Sequence, residues 1–173
     1  MSGRVVAAVV VVAALVSCSS SSTQSKPTLT STTTSAQAVP PSSIDPWCGA
    51  TTVTRAAAPT WAAGSPGGVY VLSAHGDVAG FLFARPLVAP ARPNGPNNKI
   101  LWIVRLAREG QPLSLDGHPL SGAGAVSMSE PADSSPGEIY PSIVDVPTPG
   151  CWHFVLRWGG HTDEIDLLYE PRT

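Results

Sequence analysis

The residues best placed for acid–base chemistry are a histidine and an aspartate near the end of the chain. Gly159-Gly160 is a suitable two-residue hairpin turn, because glycine tolerates the positive φ that such turns need. Pairing the flanking strands outward from this turn sets His153 across from Asp166. An imidazole oriented by a carboxylate is the arrangement that nucleophilic catalysis uses, but a plain cross-strand ion pair has the same signature. The pattern therefore leaves a small hydrolase and a structural ion pair open.

Imidazole and thioether groups raise the question of a metal site, because such ligands suit copper and zinc. The groups are those of His75, His118, His153, His161 and Met128. Their spacing follows no known ligand pattern, and the chain has no H-E-x-x-H, C-x-x-C, G-x-S-x-G or phosphate-binding loop. We therefore predict no metal ion and no cofactor. A metal-binding protein that uses His153 and Asp166 is the alternative.

A binding surface is the third possibility. Trp158 and His161 flank the hairpin turn. Together with His153 and Asp166 they are candidates for a patch that contacts a protein or a glycan. Most tryptophans are mainly buried, so Trp158 in the core is the alternative. After residue 17 the chain has nine Lys and Arg against twelve Asp and Glu and no basic stripe, so nucleic acid is not an expected partner.

The first 18 residues have the pattern of an export signal. Arg4 precedes an unbroken apolar run, Val5–Val16, which is shorter than the roughly 20 residues that span a bilayer. Leu15-Val16-Ser17-Cys18 is similar to the lipobox of bacterial lipoproteins. That resemblance implies a signal peptide over 1–17, a diacylglycerol on Cys18 and a lipid-anchored protein on the extracytoplasmic face of the cell membrane. An ordinary signal peptide cleaved elsewhere is the alternative.

Residues 18–45 have the composition of a disordered tether. Ser and Thr dominate, Lys26 is the only basic residue and no aromatic residue occurs, so little apolar surface is available to offset the entropy of folding. A flexible segment of this length has an end-to-end distance of roughly 30 Å, which lifts a domain clear of lipid headgroups. O-glycosylation of the run from Thr30 to Ser35 is an alternative use of the same residues.

The remaining residues, 46–173, are enough for one domain with its own core. With Cys18 assigned to lipid, Cys48 and Cys151 remain. In an exported protein such an even pair is expected to form a disulfide, here closing a loop of about 100 residues. Free reactive thiols and metal ligation are the alternatives.

Eighteen prolines and sixteen glycines interrupt the chain too often for long helices, and the runs between them are rich in Val, Ile, Leu and aromatic residues. Strands are predicted over Val69–Ser73, Val78–Arg85, Lys99–Ala107, Pro112–Asp116, Gly124–Ser127, Ser142–Val146, Gly150–Trp158 and Asp163–Glu170. Thr51–Ala56 is a further candidate, at a sheet edge. Short strands with turn signals at this spacing are typical of an all-β, antiparallel immunoglobulin-like β-sandwich.

The C-terminal hairpin fixes the expected core. Its register puts five apolar side chains on one face: Trp152, Phe154, Leu156, Ile165 and Leu167. It also puts Cys151 on the more polar face beside Leu168, whereas an immunoglobulin inter-sheet disulfide points inward. We expect the Trp47-Cys48 segment to fold over that outer face, with a bulge near Pro149-Gly150 as the alternative. Both faces of Lys99–Ala107 are apolar, which predicts a central strand.

Three segments carry a resemblance to known proteins. They are Asn98-Lys99-Ile100-Leu101-Trp102-Ile103-Val104-Arg105, Pro149-Gly150-Cys151-Trp152 and Trp158-Gly159-Gly160-His161. They resemble stretches of uncharacterised exported proteins and lipoproteins of actinobacteria, of the mycobacterial type. The resemblance implies a secreted β domain and transfers no catalytic residue.

We therefore expect a binding or interaction module of the cell envelope. Its lipid would hold it at the membrane, and its partner would be an envelope protein or a glycan. A small hydrolase or metal-binding protein that uses His153 and Asp166 is the first alternative. A structural envelope component without a discrete ligand is the second.

Overall fold

A computed structural model describes residues 45–91, 93–94, 98–132 and 137–173. Within these ranges the chain is all-β, with two sheets, a 3-10 turn at Thr60–Ala62 and no α-helix. The predicted signal peptide (1–17), the lipidated Cys18 and the tether up to residue 44 lie outside the described residues and stay predictions. Asp45, the last residue of the predicted tether, instead begins the first strand.

The described strands are β1 (Asp45–Cys48), β2 (Thr51–Thr54), β3 (Tyr70–Leu72), β4 (Val78–Leu82), β5 (Leu87–Ala89), β6 (Lys99–Val104), β7 (Leu113–Pro119), β8 (Val126–Glu130), β9 (Ile139–Ile143), β10 (Gly150–Trp158) and β11 (His161–Pro171). The first sheet has the order β1-β2-β3-β4-β6-β9 and the second the order β5-β11-β10-β7-β8. Neighbouring strands are antiparallel except β5 and β11, which are parallel. The predicted all-β, immunoglobulin-like sandwich is confirmed, with one sheet mixed rather than wholly antiparallel.

The inner faces of the two sheets enclose one apolar core. Alternate residues of β6 face it from the first sheet: Ile100, Trp102 and Val104. The C-terminal hairpin supplies the five residues predicted for it, Trp152, Phe154, Leu156, Ile165 and Leu167, each at most 2% exposed. Burying such a side chain contributes roughly 1.5–3 kcal/mol. The alternation along β10 and β11 therefore stabilises one packing of the second sheet against the first.

A second apolar cluster covers part of the outer face of the first sheet. Ala79, Phe81 and Ile103 lie on this face. Ala62 and the half-buried Trp61, from the 3-10 turn, pack over them. Strand β6 thus has apolar neighbours on both faces and lies between β4 and β9, which confirms the predicted central strand.

Strands β10 and β11 pair in the predicted register, without a shift between Gly150 and Trp158. Cys151 lies opposite Leu168 on the outer face and forms a disulfide with Cys48, with a Cα–Cα distance of 5.6 Å. Neither cysteine belongs to the apolar core. The disulfide therefore fastens the β1–β2 segment over the outer face of the second sheet, as expected, and the alternative of a bulge at the start of β10 is wrong.

The sequence did not predict β1 or β5, and it placed β9 too late along the chain. Strand β5 has only three residues, between two prolines. The amide and the carbonyl of Val88 in this strand each form a 2.9 Å hydrogen bond with the side chain of buried Asn98. Three apolar residues between two prolines are too few to show an alternating pattern, and a side chain takes the place of a neighbouring strand on one side.

Candidate functional site

The predicted histidine–aspartate pair is the centre of a polar row on the outer face of the second sheet. Cross-strand pairing sets His118 of β7 opposite His153 of β10, and His153 opposite Asp166 of β11. His153 Nδ1 lies 2.8 Å from Asp166 Oδ1, and the two imidazole rings are 5.3 Å apart between centroids. We call these three residues the histidine row.

Asp166 is held in place from two further sides. The Ala50 amide donates a 2.8 Å hydrogen bond to its Oδ2, and its own backbone amide donates to the Thr51 hydroxyl oxygen at 2.8 Å. Gly49 has φ of +54°, and a Cβ at that position would overlap the Asp166 carboxylate. The disulfide of Cys48 fixes the same turn. The carboxylate therefore has one orientation, and it fixes the orientation of the imidazole bonded to it.

Hydrolysis by this pair needs a nucleophile at His153 Nε2. The nearest charged group to that nitrogen is Glu164 Oε2, at 3.9 Å. In the part of the chain that the structure describes, His153 has no hydrogen bond to a hydroxyl or thiol group. Ser73 lines the same hollow of about 360 Å³, but its hydroxyl donates to Asp163 Oδ2 at 2.6 Å and accepts from the Val78 amide at 2.9 Å. The hydroxyl is thus already committed to the fold.

Asp163 lies in β11, three residues before Asp166, and joins the β3–β4 turn to this strand. It is 1% exposed. Burial alone would raise the pKa of this carboxyl group, but hydrogen bonds from the Ser73 hydroxyl and from the amides of His75, Glu164 and Asp77 outweigh burial and lower the pKa below its usual value. His75 Nδ1 also lies 3.1 Å from Asp163 Oδ1. This carboxylate is an anchor between the two sheets.

The four histidines are distributed over three places. His118 and His153 are neighbours, His75 lies beside Asp163, and His161 packs against Trp158 with ring centroids 5.6 Å apart. Met128 packs partly against the core. Among the described residues no three His, Cys, Asp or Glu side chains are already grouped as metal ligands.

Trp158 does not supply a binding surface. It is 2% exposed, and its indole nitrogen donates a 3.1 Å hydrogen bond to the Leu106 carbonyl. The prediction that its ring contacts a partner is therefore wrong, because the Gly159-Gly160 turn lies close to the β6–β7 connection and encloses the ring. A Cβ on Gly159 would come within 2.8 Å of the Ala107 carbonyl oxygen. Trp158 belongs to the core.

Sequence reasoning missed an apolar surface on the outer face of the first sheet. Three cross-strand rows run over β6, β9 and the β4 segment, with Phe83 directly after the end of β4: Ala79–Ile103–Ile139, Phe81–Leu101–Pro141 and Phe83–Lys99–Ile143. The 3-10 segment packs against the cluster that contains Ala79, Ile103 and Phe81, and the last row lies outside that cluster. In the last row Phe83 is 53% and Ile143 48% exposed, with Lys99 Nζ 5.3 Å from the Phe83 ring centroid. We call Phe83, Lys99, Leu101, Pro141 and Ile143 the strip.

A cleft of about 930 Å³ is lined by residues that follow β6, such as Arg108, and by residues around the β8–β9 connection, such as Ala132 and Glu138. Two of its charged groups form an ion pair, Arg108 Nε and Glu138 Oε2, 3.5 Å apart. The Arg108 amide donates to Glu138 Oε2 at 3.0 Å, and the Arg108 guanidinium donates to the Ile139 carbonyl at 3.1 Å and lies over the Tyr140 ring. These contacts join the β6–β7 connection to the start of β9.

Comparison of the chain with protein families, with curated proteins and with solved structures finds no match. Residues 45–173, outside their gaps, contain no helix long and apolar enough to cross a membrane. The resemblance to actinobacterial lipoproteins stays a prediction. Function is therefore inferred from the two outer faces themselves.

Proposed function

We propose that the protein is an extracytoplasmic lipoprotein, anchored by lipid on Cys18, whose β-sandwich binds another protein of the cell envelope through the strip. The lipobox and the Ser/Thr-rich tether support the anchor. The exposed apolar surface supports the binding role. A contiguous apolar patch on a rigid sheet is a common mark of an interaction site.

The main support for the proposal is a difference in exposure between two phenylalanines on one sheet face. Phe81 and Phe83 are two residues apart on the same side of the chain, yet Phe81 is 2% exposed and Phe83 is 53% exposed. Phe81 lies in the cluster that Trp61 and Ala62 help to cover, with its ring centroid 5.4 Å from that of Tyr70, whereas Phe83 lies outside that cluster. Ile143, opposite Lys99 in the same row, is also exposed. A partner that covers this row would gain the apolar burial that the 3-10 segment provides to the others.

The chemistry of the strip favours a protein over a glycan. Sugar hydroxyls need hydrogen-bond donors and acceptors, and the strip side chains supply only the Lys99 ammonium. Pro141 lies in β9, the edge strand of the first sheet, and has no amide hydrogen. A proline in an edge strand opposes pairing with an added strand. The partner therefore docks on the face of the sheet and not along its edge.

Site-specific photo-crosslinking in the native envelope tests the strip. A photoreactive phenylalanine analogue at position 83 should give a discrete adduct that Ile143→Ser reduces at least fivefold. The matched control is the same analogue at Leu120, which is 52% exposed elsewhere on the domain. Adducts of equal yield from both positions, or none from position 83, would contradict the proposal.

The anchor is tested separately through the sulfur of Cys18. Cys18→Ala should move the protein from the membrane fraction to the soluble extracytoplasmic fraction, because the lipid is removed while the domain is unchanged. Mass spectrometry of the wild-type protein should give a mature chain that starts at Cys18 with its acyl groups. An unmodified chain that retains Met1 would refute this part of the proposal.

Hydrolysis by His153 and Asp166 is the second and weaker candidate function. The 2.8 Å contact between His153 and Asp166 favours it, while the missing nucleophile opposes it. If the pair is structural, the wild type and His153→Ala should both hydrolyse generic esters no faster than a buffer control. A loss of esterase activity with an unchanged fold would instead establish a hydrolase.

A further inference from the structure

We propose that His118 and His153 bind one divalent transition-metal ion on the outer face of the second sheet, Cu²⁺ more tightly than Zn²⁺. The two residues are direct cross-strand neighbours on β7 and β10, with their rings 5.3 Å apart and tilted by 44°. Imidazole nitrogens lie about 2.0–2.1 Å from a bound metal. Rings that start at this separation can converge on one ion through side-chain rotation alone. Cu²⁺ ranks above Zn²⁺ for nitrogen ligands.

Both rings have the correct nitrogen available. His153 Nδ1 is bonded to Asp166 Oδ1 at 2.8 Å, and His118 Nδ1 lies 3.3 Å from the Pro119 carbonyl oxygen. An oxygen acceptor at Nδ1 favours the tautomer with its proton there and leaves the Nε2 lone pair for a metal. A carboxylate or carbonyl partner of this kind is the usual outer-shell support of a metal-binding histidine. We call this pair of adjacent imidazole rings, His118 and His153, the clasp.

Asp166 is the positioning residue of this clasp. It is 8% exposed, and the Ala50 amide holds its second carboxylate oxygen. The disulfide-bonded turn thereby fixes the ring of His153 before any ion arrives. A pre-oriented ligand loses less conformational entropy on binding.

Glu164 is the third ligand in reach. Its Oε2 is 3.9 Å from His153 Nε2, and its side chain is 53% exposed and able to move. Another acid of this face, Asp116, is paired with Arg157. Two imidazoles, one carboxylate and water make a coordination set that suits Cu²⁺ and Zn²⁺.

Titration calorimetry with CuSO₄ and ZnCl₂ tests the site. All proteins are full-length chains in detergent that carry Cys18→Ser, so that an unlipidated Cys18 thiol cannot compete for the metal. The reference should bind one ion, His118→Ala and His153→Ala should each lower the affinity at least tenfold, and Asp166→Asn should lower it about 10- to 100-fold. His75→Ala and His161→Ala are the matched controls and should change it less than twofold.

Electron paramagnetic resonance of the Cu²⁺ complex distinguishes the clasp from loose surface binding. The reference should show coupling to two imidazole nitrogens, and His118→Ala, whose side chain is exposed, should show one. Circular dichroism checks that this variant keeps the fold. Equal affinity in the double variant His118→Ala/His153→Ala, or equal losses in the control variants, would overturn the proposal. The crosslinking result at position 83 is independent of either outcome.

Discussion

On the outer face of the first sheet the three rows across β4, β6 and β9 are almost wholly apolar, and the chain covers them with Trp61 and Ala62 as far as Phe81. On the outer face of the second sheet the rows across β7, β10 and β11 are mostly polar: His118–His153–Asp166, Asp116–Val155–Glu164 and Ser114–Arg157–Thr162. There the cover is the β1–β2 turn. It is held by a disulfide and by hydrogen bonds to Asp166.

The two faces show how a chain can fasten a covering segment in different ways. An apolar face holds its cover by burial, which is non-directional and leaves any uncovered remainder available to a partner. A polar face holds its cover through specific atoms, which fixes side-chain orientation as well. The first arrangement favours docking and the second favours ligation.

The largest effect on the free energy of unfolding should come from removing the disulfide that holds the β1–β2 turn on the polar face. The double variant Cys48→Ser/Cys151→Ser should lower the free energy of unfolding by about 4 kcal/mol, because the bond spans 103 residues of sequence. Urea unfolding measures this change, and added reductant should have no further effect on the variant. A loss below about 1 kcal/mol would mean that the hydrogen bonds to Asp166 suffice alone.

The two phenylalanines of the apolar face give the next comparison. Phe81→Ala should cost about 3 kcal/mol, like a core residue, because the side chain is covered on all sides. Phe83→Ala should change the free energy of unfolding by less than about 0.5 kcal/mol, as exposed substitutions do. Equal costs at the two positions, measured by urea unfolding, would show that the strip is part of the fold and not a free surface.

A smaller effect is expected at the hydrogen bonds of the polar face. Asp166→Ala should cost about 2 kcal/mol, because it leaves the Ala50 amide and His153 Nδ1 without an acceptor. Glu164→Ala, on the same face of β11, should cost less than about 0.5 kcal/mol. Thermal unfolding of both variants beside the wild type measures the difference. Similar values would mean that the cover is held by the disulfide alone.

The smallest effect appears only in acid and concerns the link between the sheets. The folded-state pKa of Asp163 is lowered, so its contribution to stability is complete above the unfolded pKa of about 3.9 and is lost as the pH falls through the lower folded value. Urea midpoints should therefore decline from about pH 4 downward. Asp163→Asn should show a shallower decline over the same range, and parallel profiles would contradict the assignment.

Local sequence determined the hairpin and its core face. Gly159-Gly160 sets the register, and once it is set the alternation of Trp152 through Leu167 can face only one way. The even number of cysteines left after Cys18 pointed to the disulfide, and the register placed it outside the core. These features were predictable because each depends on neighbours in the chain or on a count.

The remaining features depend on distant pairing, for which one sequence has no signal. His118 meets His153 because β7 pairs with β10, and Asp166 meets Ala50 from 116 residues away. In the sequence, the strip shows only as two phenylalanines at alternate positions, Phe81 and Phe83, with no sign that one is buried and the other exposed. The path of the 3-10 segment over the sheet decides which row is covered. The sequence alone could not predict that path, so it could not tell the exposed row from the covered ones.

The last strand of the chain has a central position that constrains assembly. β11 is hydrogen-bonded between β5 and β10, its carboxylates hold the β1–β2 and β3–β4 turns, and its neighbour β10 carries the second cysteine. A chain truncated before His161 lacks the strand that pairs with β5 and β10 and that holds the β1–β2 and β3–β4 turns. The closing contacts of both turns and of the second sheet therefore all depend on this one strand.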